Sequence, residues 1–165
     1  MEVNWADWHP KERATLLFVV KDGSILLIRK QRGLGAGKIN GPGGRLEPGE
    51  TPVEGAIRET REELCIEAID PVLRGELHFQ FVDGYSLFCS VFVAPDFEGV
   101  PTETEEAVPL WSRVDEVPYH EMWEDDEHWL PGVIAGRQFR GYFTFDGDKM
   151  LWHRVDWVED LALAP

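Results

Sequence analysis

Three Asp-Gly pairs, Asp22-Gly23, Asp83-Gly84 and Asp146-Gly147, each interrupt a pair of apolar or alternating runs. Asp and Gly tolerate the positive φ that a tight turn demands, so each pair predicts a β-hairpin. The expected strands are Thr15 to Lys21 with Ser24 to Arg29, Leu77 to Val82 with Tyr85 to Val93, and Phe139 to Phe145 with Met150 to Asp156. Hairpins join antiparallel strands, so the sheet should be largely antiparallel.

Between the first two hairpins the apolar spacing lengthens from two residues to three and four. Val53, Ala56, Ile57, Thr60 and Leu64 make one stripe of a helix over Thr51 to Leu64. Thr51 is the expected N-cap, Pro52 fits the first turn, and Glu54 completes a capping box. A second helical stretch, about Asp125 to Ala135, is interrupted by Pro131 and Gly132. Neither tail, Met1 to Glu12 or Glu159 to Pro165, demands order, although Trp5 and Trp8 could dock on the domain. With 165 residues, 43% hydrophobic, the chain suits a single domain over 1–165 with its core at about 13–158.

A formal net charge of -15 argues against a grip on a nucleic acid polymer, where lysine and arginine must replace counterions. A small polyanion is compatible if metal ions carry positive charge. The longest early apolar run, Leu16 to Val20, is too short to span a membrane, and Met1-Glu2-Val3 lacks the basic flank of a signal peptide. Cys65 and Cys89 offer neither a disulfide framework nor a zinc knuckle, and His9, His78, His120, His128 and His153 show no metal-ligand spacing. A cytoplasmic, monomeric protein without membrane partners is expected.

At about 100° per residue, Glu59, Glu62 and Glu63 fall within about a 100° arc beside the apolar stripe. Such crowding needs solvent, arginine or a cation to offset repulsion, and magnesium is the hard, oxygen-seeking candidate. A solvated acidic face is the plainer alternative. Upstream, Gly41-Pro42-Gly43-Gly44 and the loop to Gly49-Glu50 let backbone approach a phosphate or metal closely.

Gly44, then Glu50, then Arg58-Glu59-Thr60-Arg61-Glu62-Glu63-Leu64-Cys65-Ile66 resembles the signature of the Nudix hydrolases, with Thr60 replacing an aliphatic residue and Cys65 a glycine. The resemblance implies an α/β fold: an α/β/α sandwich with a mixed, largely antiparallel sheet and a loop-helix-loop motif. It also implies Mg2+, with Mn2+ a possible substitute, held by Glu59, Glu62, Glu63, Glu106 and the Gly43 carbonyl. Arg58 would hold a carboxylate, Glu50 being a candidate. Glu63 and Glu106 both remain open as the general base.

Three further runs, 30–41, 121–129 and 139–143, resemble the oxidised-purine branch of the MutT-like members of that family. That resemblance implies hydrolysis of nucleoside triphosphates such as the 8-oxo-dGTP and 2-hydroxy-dATP forms to monophosphate and pyrophosphate. Asn40, Asp125 and Asp126 would read the base edge and Trp123 would stack on it. Thr15, Lys30, Phe79 and Phe81 would line the pocket beside Gly43 and Gly44. Leu34 and Ile39 replace aromatic residues of that branch. Other nucleotide substrates (ADP-ribose, dinucleotide polyphosphates, methylated purine nucleotides) or a non-catalytic sensor are the alternatives.

Overall fold

The computed structural model describes residues 1–162, so the end of the expected C-terminal tail, 163–165, lies outside the described residues. The first Asp-Gly pair joins β1 (Glu12–Lys21) to β2 (Ser24–Lys30), with Asp22 at φ 53° and Gly23 at φ 74° between the partners Lys21 and Ser24. Then come β3 (Ile39–Asn40), β4 (Gly43–Arg45), α1 (Pro52–Leu64) and β5 (Glu67–Ile69). The second pair lies between β6 (Val72–Phe81) and β7 (Ser86–Ala94), where Asp83 Oδ1 accepts the Tyr85 N–H at 2.9 Å. Next are β8 (Asp96–Glu98), β9 (Ala107–Arg113) and α2 (Asp126–Ile134). The last turn joins β10 (Gln138–Asp146) to β11 (Lys149–Val158) and is shifted by one residue: Asp146 pairs with Lys149, leaving Gly147 and Asp148 in the loop.

The sheet runs β11-β10-β6-β7-β1-β2-β3, with β4 added to β1 and β9 to β2. It is mixed: β1 with β7 and β6 with β10 are parallel, while the hairpin partners are antiparallel. β1 forks this sheet, pairing with β4 through Ala14–Leu16 and with β2 only at Val20 and Lys21. Gly43 and Gly44 therefore run directly past Thr15 and Leu16.

Period-two alternation sorts β1 and β2 between two cores. Leu17, Val19, Leu26 and Ile28 pack with Ala56 and Leu64 of α1, whereas Phe18, Ile25 and Leu27 pack with Trp129 and Leu130 of α2. Helices on both faces make the expected α/β/α sandwich.

Helix α1 begins as its sequence requires, with the complete Thr51–Glu54 capping box. Its buried face is rotated from the expected stripe: Val53 is exposed and Ile57 only half-buried, while Gly55 and the acid Glu63 are buried. Thr60 fits this face because its Oγ1 donates to the Ala56 carbonyl at 2.8 Å. Pro131 lies inside α2 without preventing it, although that helix extends over only nine residues. The N-terminal tail is ordered by its tryptophans: Trp8 Nε1 donates to Gln80 Oε1 at 2.9 Å, and Trp5 stacks on Trp152.

Helix α1 ends at Cys65, left-handed at φ 61°, with its N–H donating to the Arg61 carbonyl. A Cβ is disfavoured there, as the glycine of the family signature anticipates. Cys65→Gly is expected to stabilise the fold by about 0.5–1 kcal/mol net of its unfolded-state entropy, measured by chemical denaturation.

Candidate active site

Arg58 organises the acidic side of α1. Its Nε and Nη2 grip both oxygens of Glu50 at 2.7 and 2.9 Å, a bidentate pair that holds the Glu50 carboxyl down at about 2. Nη1 donates to Glu59 at 2.9 Å and to Glu62 at 3.1 Å, and Nη2 donates to the Arg45 carbonyl. Glu50 is thus the candidate partner that the family resemblance implied. A Cβ on Gly44 would stand 2.6 Å from the Glu59 carboxyl carbon, so any larger residue there would push that carboxylate from its place.

Glu63 faces the opposite problem. It is 5% exposed, and its carboxylate takes one N–H, from Gly43 at 3.3 Å. Burial, reinforced by the Glu59 charge, pushes its pKa up to about 8. Glu59 is raised in the same direction by burial, with Arg58 opposing. Glu106 is held below the usual carboxylate range by its hydrogen bond to Arg32.

All the sequence-derived site residues except Arg58 line one cleft of about 1310 Å³. Glu59, Glu62, Glu63 and Glu106 share this lining with Lys30 and with the base-reading candidates Asn40, Trp123, Asp125 and Asp126. Asn40 Oδ1 accepts the Gly41 N–H at 2.8 Å, which leaves its amide NH₂ to donate. Trp123 is held edge-on by Phe81 and Phe145, with ring centroids 6.3 and 5.6 Å away. Gly35 lies so close to the Trp123 indole that an added Cβ would sit 2.8 Å from Nε1.

Asp125 and Asp126 are both 2% exposed, not an acidic surface loop. Trp129 Nε1 donates to Asp125 Oδ2 at 2.8 Å, while Asp126 Oδ2 has no hydrogen-bond partner in the protein, nor has the buried Thr15 Oγ1. Burial pushes Asp125 up to about 6, and burial plus the Asp125 charge raises Asp126 well above the ordinary value. Phe81 belongs to the core as well as to the cleft, so packing and lining coincide there. Sequence reasoning missed Cys89, Leu87 and Phe145 as lining residues. Strand alternation of Leu87 and Cys89 could have flagged their shared face, but nothing local showed which face met the cleft.

The acids are not gathered into a finished metal cage: among the described residues no group of three or more His, Cys, Asp or Glu could hold an ion as placed. Arg58 draws Glu59 and Glu62, Arg32 draws Glu106, and the Gly43 N–H draws Glu63. The donors nonetheless suit a hard divalent cation, being oxygens throughout, and such a cation would stabilise the ionised form of the buried Glu63, which its surroundings disfavour.

The NUDIX domain model matches residues 10–133, so the chain belongs to the Nudix hydrolase family. It is 40% identical over 151 residues to the oxidized purine nucleoside triphosphate hydrolase of Danio rerio, covering 89% of this chain and 96% of that one. The protein of the same name from Mus musculus is 39% identical over 149 residues, covering 88% and 94%. Among solved structures, a mutator MutT protein from Bacillus halodurans superposes with a TM-score of 0.80 at 30% identity, covering 88% of this chain and 97% of that one.

The aspartate pair has a consequence for stability. A carboxyl whose pKa is raised on folding stabilises the fold while protonated, fully below its unfolded value near 4, and that contribution is lost as pH rises. Both acids are raised, so for the pair the loss begins near the unfolded value and runs through the raised folded values, about 6 for Asp125. Tm should therefore fall between pH 5 and pH 8, and Asp126→Asn, which removes the buried charge, should reduce that fall. Differential scanning calorimetry of both proteins at the two pH values checks this.

Proposed function

We propose that the protein hydrolyses oxidised purine nucleoside triphosphates, such as 8-oxo-dGTP and 2-hydroxy-dATP, to the monophosphate and pyrophosphate, removing damaged nucleotides from the precursor pool. The observation that carries this reading is that one cleft is lined both by the α1 carboxylates and by an indole, an amide donor and two buried acids. Likeness to the zebrafish and mouse proteins supports the substrate class.

In the base pocket the two aspartates have unequal roles. Trp129 donates to Asp125 and favours its ionised, accepting form. Asp126 Oδ2 has no partner in the protein, and burial and the Asp125 charge raise its pKa against the opposing backbone hydrogen bond at Trp123, so we assign the shared proton to Asp126, which then serves as a hydrogen-bond donor. Together with the Asn40 amide they present both donors and acceptors to a purine edge. A proton moved from one acid to the other inverts the pattern, which suits two differently oxidised purines. Trp123 supplies the stacking face, and Thr15, Lys30, Phe79 and Phe81 close the pocket around it.

At the phosphate end, Glu59, Glu62, Glu63, Glu106 and the Gly43 carbonyl are the groups that would hold Mg2+, or Mn2+ in its place. The bound ion would neutralise phosphate oxygens and lower the pKa of attacking water. Arg58 keeps Glu59 and Glu62 oriented toward the cleft through its anchor on Glu50. Glu63 and Glu106 are the two candidates for accepting the proton of water. A monomer acting on a small nucleotide in a reducing cytoplasm fits the free Cys65 and Cys89, and among the described residues no helix is long and apolar enough to cross a membrane.

A panel of oxidised and ordinary purine triphosphates, scored by kcat/KM, tests the reading. Glu63→Gln is expected to lower kcat at least about 100-fold on every substrate. Asn40→Ala and Asp125→Asn should each lower the preference for oxidised over ordinary purines about 10-fold or more. An unchanged ranking in both variants would remove the base-reading assignment, and turnover of the parent without divalent metal would remove the mechanism.

A further inference from the structure

Glu106 meets the α1 carboxylates from outside the helix, and its backbone is fixed on two sides. Thr104 Oγ1 donates to the Glu63 carbonyl at 2.7 Å and accepts the Glu106 N–H at 3.3 Å. From the other side the Gln31 N–H donates to the Glu106 carbonyl at 2.9 Å, and Gln31 Nε2 donates to the Thr104 carbonyl. A short loop is thereby pinned to the last turn of α1, and Glu106 is placed there by design of the chain rather than by drift of a surface acid.

The Glu106 carboxylate itself is held differently. It is bonded to the Arg32 guanidinium, which also approaches Glu105 at 3.6 Å. Arg32 and Glu106 both line the cleft, and the Arg32 side chain is 58% exposed. An exposed pair of this kind is weakly held and readily exchanged. Arg58 differs, because its two-pronged bond goes to Glu50, outside the proposed ligand set, and it can stay in place when a metal arrives.

We propose that Arg32 is a positioning residue with two alternative anionic partners. It holds Glu106 until a divalent cation takes that carboxylate, and it then turns to the phosphate oxygens of the nucleotide that enters with the cation. A guanidinium and a divalent ion repel each other across one carboxylate, so occupation by the ion releases the arginine. The released fork matches phosphate oxygens, in a cleft whose charged lining residues include more acids than bases. Metal loading and phosphate binding become coupled through one side chain.

This inference rests on the reading of Glu106 as a metal ligand, and the test separates the two. Mn2+ binding to the full, nucleotide-free chain is measured by electron paramagnetic resonance for the parent, Glu106→Gln, Arg32→Ala and the double variant. Glu106→Gln should weaken Mn2+ about 10-fold. Arg32→Ala should tighten Mn2+ about 2- to 5-fold, an effect absent in the Glu106→Gln background. At saturating Mn2+, Arg32→Ala should weaken a non-hydrolysable nucleoside triphosphate analogue several-fold, with Arg32→Lys restoring part of the loss. If Glu106→Gln leaves Mn2+ binding unchanged, Glu106 is not a ligand and the exchange falls with that reading. If Glu106→Gln weakens the metal while Arg32→Ala leaves it unchanged or weaker, the exchange alone is overturned. Unaltered analogue binding in Arg32→Ala overturns the phosphate half.

Discussion

The bidentate grip of Arg58 on Glu50 is the interaction on which the arrangement of the α1 carboxylates depends. Glu50 closes the loop that follows Gly43 and Gly44, and Arg58 stands on the second turn of α1, so this pair locks loop to helix. From that anchor the same guanidinium reaches Glu59 and Glu62, which would otherwise repel each other on one side of a helix. The side chains of Arg58, Glu50 and Glu59 are only 17%, 12% and 16% exposed, so the network is shielded from the solvent and salt that would weaken a surface pair.

The cleft uses one further device twice, an acid buried without full compensation. Glu63 and Asp126, both in the cleft lining, have raised pKa values because burial disfavours their charge. An uncompensated buried acid destabilises the free protein and favours a ligand that supplies what is missing: a cation for Glu63, a hydrogen-bond acceptor for protonated Asp126. The sandwich supplies the rigidity this requires, since α1 and α2 are packed against opposite faces of the same strands.

Features set by neighbouring residues were legible in the sequence. The first Asp-Gly turn and the capping box follow from local chemistry, while the Arg58–Glu50 pair and the left-handed Cys65 were legible through the family signature. Features set by packing were less so. Val53 and Glu63 exchanged their expected burial because the strands beneath α1 fix its rotation, and no periodicity within the helix encodes that. The one-residue shift of the last turn to Gly147 and Asp148 likewise depends on how β10 and β11 align. Trp129 donating to Asp125 was within reach, since the two are four residues apart on a helix, but the orphaned Asp126 oxygen appears only once the surrounding strands are in place. Arg32 was missed because its partner Glu106 is 74 residues away in sequence.

The claim that the α1 carboxylates form a cation site is tested most directly by thermal denaturation with and without Mg2+ at one fixed pH. The wild-type Tm should rise by at least about 3 °C at ten times the dissociation constant of the ion. Glu63→Gln should show little or none of that rise while still unfolding cooperatively. An equal rise in both proteins, or none in the wild type, would contradict the assignment.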